Sequence, residues 1–118
     1  QTCALPIFYL ATLSDEELIE YLSKKLTPLT KFTITKPANL LKEIMEARAT
    51  GVAINFKEHR EEWCGISSSI RDKAGRTVAY LNVTLPSFNT TREKLKSLTP
   101  TMTSTASEIA TLFNKSNL

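Results

Sequence analysis

The sequence predicts an α+β fold, a small antiparallel sheet with helices packed on one face, and three observations predict it. The apolar period changes from helical to two at Gly51. Two alternating segments, Cys64 to Arg71 and Arg76 to Leu85, flank the turn Asp72-Lys73-Ala74-Gly75 and form a hairpin. Beyond them Leu95, Leu98, Met102, Ala106, Ile109 and Phe113 recur at three and four residues, a helical seam that needs a sheet or another helix beneath it.

The elements follow in order. Phe8 to Leu13 reads as the tail of a first helix. Ser14-Asp15-Glu16-Glu17 is a capping box whose carboxylates suit the positive first turn, and Leu18, Ile19, Tyr21, Leu22 and Leu26 carry that second helix up to Thr27-Pro28. Thr30 to Thr35, TKFTIT, reads as extended linker or a short edge strand. Pro37 sits where a helix tolerates it, in the first turn, and Leu40, Leu41, Ile44, Met45 and Ala47 form the buried stripe of that third helix. Gly51 is placed to end it in a left-handed conformation. In the strand that follows, Val52, Ile54 and Phe56 face one way, Ala53 and Asn55 the other. Lys57 to Glu62, KEHREE, is a loop. On the last strand Ala79, Leu81, Val83 and Leu85 oppose Val78, Tyr80, Asn82 and Thr84. Thr90-Thr91-Arg92-Glu93 reads as a second capping box, and Pro100 kinks or splits the closing helix.

Composition narrows the function classes. The 118 residues are 42% hydrophobic and 23% charged, which suits one domain or part of one. No apolar run approaches a membrane span, and a formal charge of +3 with no basic stripe does not point to nucleic acid. Two cysteines, Cys3 and Cys64, make neither a disulfide framework nor a metal-ligand spacing, and a reducing, cytoplasmic setting is expected. Residues 1–7, QTCALPI, show neither helical nor strand periodicity and read as a sequencing-adapter artefact ahead of a partial domain over residues 8–118. On that expectation Cys64 is the only native thiol.

Candidate chemistry is sparse. His59 and Cys64 are the one pair that suggests a nucleophile and base, against the plain alternative of a loop histidine and a small strand residue. Glu58, Glu61 and Glu62 with His59 suggest a metal site, against a solvated acidic loop; no metal and no cofactor is expected. Gly51, Gly65 and Gly75 are too far apart for a phosphate-binding loop, and Ser67, Ser68 and Ser69 lack the glycine-flanked elbow of a serine nucleophile. Asn82 and Thr84 are more informative. They fall two apart in an otherwise apolar strand, and Asn55 lies on the minor face of another, which suggests either a polar pocket floor or a solvated sheet face.

The run GVAINFKEHREEWCGISSSIRDKAGRTVAYLNVTLP, Gly51 to Pro86, resembles the effector-binding domain of IclR-family transcriptional regulators. There a glycine and an aromatic open a strand, an acidic segment follows, then a strand of the type CIAAPVRD, a turn ending in glycine and a strand of the type AALSVSGP. TKFTIT with LLKEIMEARATG resembles the family's linker and arginine-bearing helix, and TREKLKSLTPTMTSTASEIATLF its closing helix. The resemblance covers Leu10 onward. It implies a GAF/profilin-like domain, here missing its first strands, that binds a small-molecule effector, often a carboxylic acid. It also implies a homodimer or homotetramer that meets DNA only through an N-terminal winged helix-turn-helix absent here, with no enzymatic activity. Carried over residue by residue, the family's acidic strand position falls on Asn55, its frequent cysteine on Gly65 beside Cys64, the preceding apolar position on Trp63, and its two strand serines on Asn82 and Thr84. These six are the expected ligand-binding residues, with Trp63 and Cys64 near the rim. A module that only mediates dimer contacts, and a small Cys/His enzyme, stand as the alternatives.

Overall fold

The computed structural model describes residues 5–116. Five helices and three strands follow in order: α1 Leu5–Ala11, α2 Asp15–Leu22, α3 Pro37–Thr50, β1 Val52–Phe56, β2 Trp63–Arg71, β3 Thr77–Pro86, α4 Arg92–Ser97 and α5 Thr99–Lys115. The strands form one antiparallel sheet in the order β1-β2-β3, so the fold is α+β with β1 and β3 at its edges. Gln1 to Ala4, with Cys3, lie outside the described residues. α1 begins at Leu5, ahead of the boundary expected at residue 8, and Ile7 is buried with Phe8 and Leu10.

Punctuation by glycine and proline lies where the sequence puts it. Gly51 ends α3 with φ 71° and ψ 14°, its amide donating to the Ala47 carbonyl at 2.9 Å. Gly75 closes the β2–β3 turn at φ 79°, and the Asp72 carboxylate there accepts from the amides of Ala74 and Arg76, each at 2.9 Å. Pro100 separates α4 from α5 at Leu98, since a ring in the second helix's first turn displaces no hydrogen bond. At Ser14 the capping box forms as expected.

Four local expectations are corrected. α2 stops at Leu22 because the Ser23 hydroxyl turns back to donate to the Glu20 carbonyl at 2.6 Å, competing with the helix; Leu26 packs on the core from outside it. Thr30 to Thr35 is neither extended linker nor strand but a turn built by hydroxyls. Thr33 Oγ1 accepts from the amides of Leu29 (3.0 Å) and Thr30 (2.9 Å), and Thr30 Oγ1 donates to the Lys57 carbonyl at 2.6 Å. The N-cap of α4 is Thr91, which accepts from the Lys94 amide at 3.1 Å, so Glu93 completes no box. Met45 is exposed, leaving Leu40, Ile44 and Ala47 as the buried stripe of α3.

Two apolar clusters hold the sheet. Val52, Ile54, Cys64 and Ile66 pack with Leu95 and Met102 of α4 and α5, and Leu81, Val83 and Leu85 complete that layer. Ile7, Phe8 and Leu10 of α1 meet Leu18, the α3 stripe and Ala53 in the second cluster, which also reaches Tyr80. Thus α4 and α5 cover one face, and α1 in addition reaches the other, where Phe8 and Tyr80 stack with centroids 4.9 Å apart. Arg48 fastens α1 to α3: its Nε donates to the Ala11 carbonyl at 3.0 Å, its Nη2 to the Leu13 carbonyl at 2.7 Å, and its Nη1 lies 3.4 Å from Asp15.

Candidate functional site

Strand alternation places Asn55, Ser67, Asn82 and Thr84 on the face opposite α4 and α5. In register, Asn55 of β1, Gly65 of β2 and Thr84 of β3 stand side by side, and the next row is Ala53, Ser67 and Asn82. The middle of the first row, Gly65, has no side chain. The Ser67 hydroxyl, fully buried, donates to Asn82 Oδ1 and so fixes the amide with its Nδ2 as the donating end. Asn82 and Thr84 are exposed, Asn55 is buried, and the face runs from open at β3 to covered at β1.

Beside Asn55 the covered end holds a cavity of about 340 Å³, walled by Ile7 and Leu10 of α1, Tyr21 of α2, Lys25, Glu58 and His59. A left-handed backbone at Lys57, φ 59°, turns the chain under the end of β1. The Glu58 amide then donates to Asn55 Oδ1 at 3.1 Å. Glu58 Oε1 is buried, 3.6 Å from Arg92 Nη2, too long for a hydrogen bond, and Arg92 Nη1 lies 3.3 Å from Glu43. Burial pushes the Glu58 carboxyl up to about 7; the Arg92 charge opposes that rise and the Glu43 charge adds to it.

Of the six expected ligand residues, Asn55, Gly65, Asn82 and Thr84 share one face, and Trp63 shares it at the end of β2, where its ring is 40% exposed. Cys64 does not join them. Next to Gly65 in an extended strand it points the opposite way, fully buried in the α4–α5 layer with its Sγ 3.6 Å from the Leu85 carbonyl, and burial pushes its thiol up. His59 lines the cavity on the other side of the sheet, so the Cys–His pair is not assembled. Among the described residues no group of three or more His, Cys, Asp or Glu side chains is placed to hold a metal. Sequence reasoning missed Ser67 and Glu58 as site residues. The parity of Ser67 with Gly65 was the available signal for the first; nothing in the charged run KEHREE distinguishes Glu58 from its neighbours.

Comparison with known proteins gives the site its context. The family described as "Bacterial transcriptional regulator IclR C-terminal" matches residues 1–111. The HTH-type transcriptional repressor AllR of Escherichia coli K12 is 31% identical over 100 residues, and the Pca operon regulatory protein of Acinetobacter baylyi 31% over 102; these cover 84% and 85% of this chain. The chain spans 37% of the length of each of those relatives. Among solved structures, the transcriptional regulator RHA06195 from Rhodococcus sp. RHA1 superposes with a TM-score of 0.79 at 31% identity, covering 99% of this chain and 48% of that one. The inducer-binding domain of PobR from Acinetobacter, a double mutant in complex with 3-hydroxybenzoic acid, superposes at 0.73 and 25% identity, over 88% of this chain and 61% of that one. The relatives are regulators, not enzymes. With the sheet register, the polar rows and a match over nearly all its length, this chain belongs to the IclR C-terminal family of bacterial transcriptional regulators.

Proposed function

We propose that this chain is the effector-binding part of a cytoplasmic IclR-type regulator, that it binds a small carboxylic acid, and that it assembles as a homodimer or homotetramer whose DNA contacts lie in an N-terminal winged helix-turn-helix. One observation carries the ligand reading: the row Ala53, Ser67, Asn82, with its oriented amide, runs beside the row Asn55, Gly65, Thr84, which ends at a cavity lined by Asn55. The PobR domain's complex with an aromatic hydroxy acid supports the carboxylic acid class. Asn55, Asn82 and Thr84 are uncharged, so they recognise an anion through directional hydrogen bonds, each contributing roughly 1.5–3 kcal/mol to a charged partner where desolvated. Trp63 flanks the same face.

Thermal denaturation of the chain with a panel of small carboxylic acids, 3-hydroxybenzoic acid included, tests this. A bound ligand at about a hundredfold its Kd adds about 2.7 kcal/mol of stability. Asn82→Ala and Thr84→Ala each weaken binding about ten- to a hundredfold, while Ser68→Ala, on the α4–α5 face, leaves it near the parent value. Stabilisation by no member of the panel favours the dimerisation-only module, and loss of binding in Ser68→Ala alone puts the site on the wrong face.

A further inference from the structure

The cavity beside Asn55 has an electrostatic feature that the polar rows do not require. One guanidinium serves two carboxylates: Arg92 of α4 lies 3.3 Å from Glu43 of α3 and 3.6 Å from Glu58, and of the two Glu58 lines the cavity. With all three ionised the cluster carries one net negative charge at the wall of a site that is to receive an anion. The side chains of Glu58, Glu43 and Arg92 are 17%, 23% and 27% exposed, so water screens that charge only in part.

Among the described residues no other ion pair reaches Glu58 or Glu43. α1 contributes the apolar Pro6, Ile7 and Leu10, and α2 contributes Tyr21. The Lys57 ammonium lies 4.9 Å from the Phe32 ring centroid and 5.1 Å from that of Phe56, the Lys31 ammonium 5.3 Å from the former and the Arg92 guanidinium 5.8 Å from the latter, so these cations sit against aromatic faces. Lys25 and His59 line the cavity from the α2–α3 linker and the β1–β2 loop.

We infer that Glu58 couples ligand occupancy to proton uptake: the cavity accepts an anionic ligand with Glu58 neutral, leaving Arg92 paired to Glu43 and the wall uncharged. This rests on the anion-binding reading above and adds the regulation of that site. Where Glu58 is ionised before the anion enters, a proton moves from solvent to its carboxylate, so the uptake per ligand equals the fraction ionised in the free chain. Desolvation has already drawn the carboxyl to the middle of the physiological range, and an anion beside it moves it further the same way. Ligand affinity therefore falls as pH rises through neutrality.

Calorimetric titration of the full chain with benzoate as the probe, in buffers of differing ionisation enthalpy, tests the coupling. The affinity is expected to fall about tenfold between about pH 6 and about pH 8, with proton uptake rising from near zero at the lower pH through about half a proton per ligand at neutrality toward one at the higher. Glu58→Gln flattens the profile and keeps the affinity of the lower pH. His59→Gln, which removes the imidazole that lines the cavity, retains the tenfold fall. Carbon-13 NMR of the glutamate carboxyls without ligand, assigned by Glu58→Gln, shows the Glu58 midpoint independently of any binding. A pH-independent affinity in the parent, a dependence lost in His59→Gln and kept in Glu58→Gln, or an ordinary carboxylate midpoint overturns the coupling while the effector-binding reading stands. No benzoate binding at any pH, with Glu58 titrating near neutrality, removes the anion-binding reading and the coupling with it.

Discussion

The two faces of the sheet are made by the same three strands one residue out of step, and they solve opposite problems. On one, Ile54, Ile66 and Val83 form a cross-strand row closed by Leu95 and Met102. On the other, Asn55, Gly65 and Thr84 form the adjacent row, buried at Asn55 and exposed at Thr84. The first face maximises apolar area removed from water; the second keeps polar atoms in fixed directions where a ligand can use them. Stability and recognition are thus divided by parity along each strand, so neighbouring residues answer to different demands.

Ile66 and Ser67 put that division to its most direct test, because both are fully buried neighbours on β2. Ile66→Ala leaves a cavity in the α4–α5 layer and should cost about 2–5 kcal/mol in chemical denaturation. Ser67→Ala removes the hydrogen bond to Asn82 and should cost about 0.5–1.5 kcal/mol. Equal costs would erase the distinction between a packing face and a recognition face.

Glu58 sharpens the comparison from the polar side. Its carboxyl is raised in the folded chain, from 4.5 to about 7, so the native state holds that proton more tightly than the unfolded state between those values. Stability then falls as pH rises from about 4.5 to about 7 and is flat above, by an amount on the order of 3 kcal/mol. Glu58→Gln should abolish this component in urea denaturation across that range.

A smaller effect is expected where α3 enters the sheet. Gly51→Ala combines a left-handed backbone with an added methyl 3.1 Å from Ser69 Oγ and should cost about 1–2 kcal/mol, whereas Gly75→Ala, at φ 79° with open space around it, should cost about 1 kcal/mol. Thermal unfolding of the two variants separates the steric part from the backbone part.

Much of this organisation was legible in the residues. Gly51, Gly75 and Pro100 act on the backbone alone, and the alternation of β3 reports its two faces directly. What escaped was decided by interactions over distance or by competition between hydroxyls and backbone. Thr30 and Thr33 look extended until the Lys57 and Glu58 carbonyls are brought to them. Ser23 ends α2 through its own side chain, although apolar spacing continues to Leu26. The placement of Cys64 at the rim was correctable from sequence, since an extended strand cannot turn it and Gly65 to the same side. Glu58 was not, because its carboxyl is raised by burial against α3 and α4, elements distant in the chain.

Arg48 gives this arrangement a mechanical character. Its guanidinium holds the carbonyls of Ala11 and Leu13 at the end of α1 and reaches Asp15 at the start of α2, while its own helix runs without a break to Gly51 and β1. α1, which walls the cavity, is therefore tied by one guanidinium as well as by apolar packing to the helix that leads into β1.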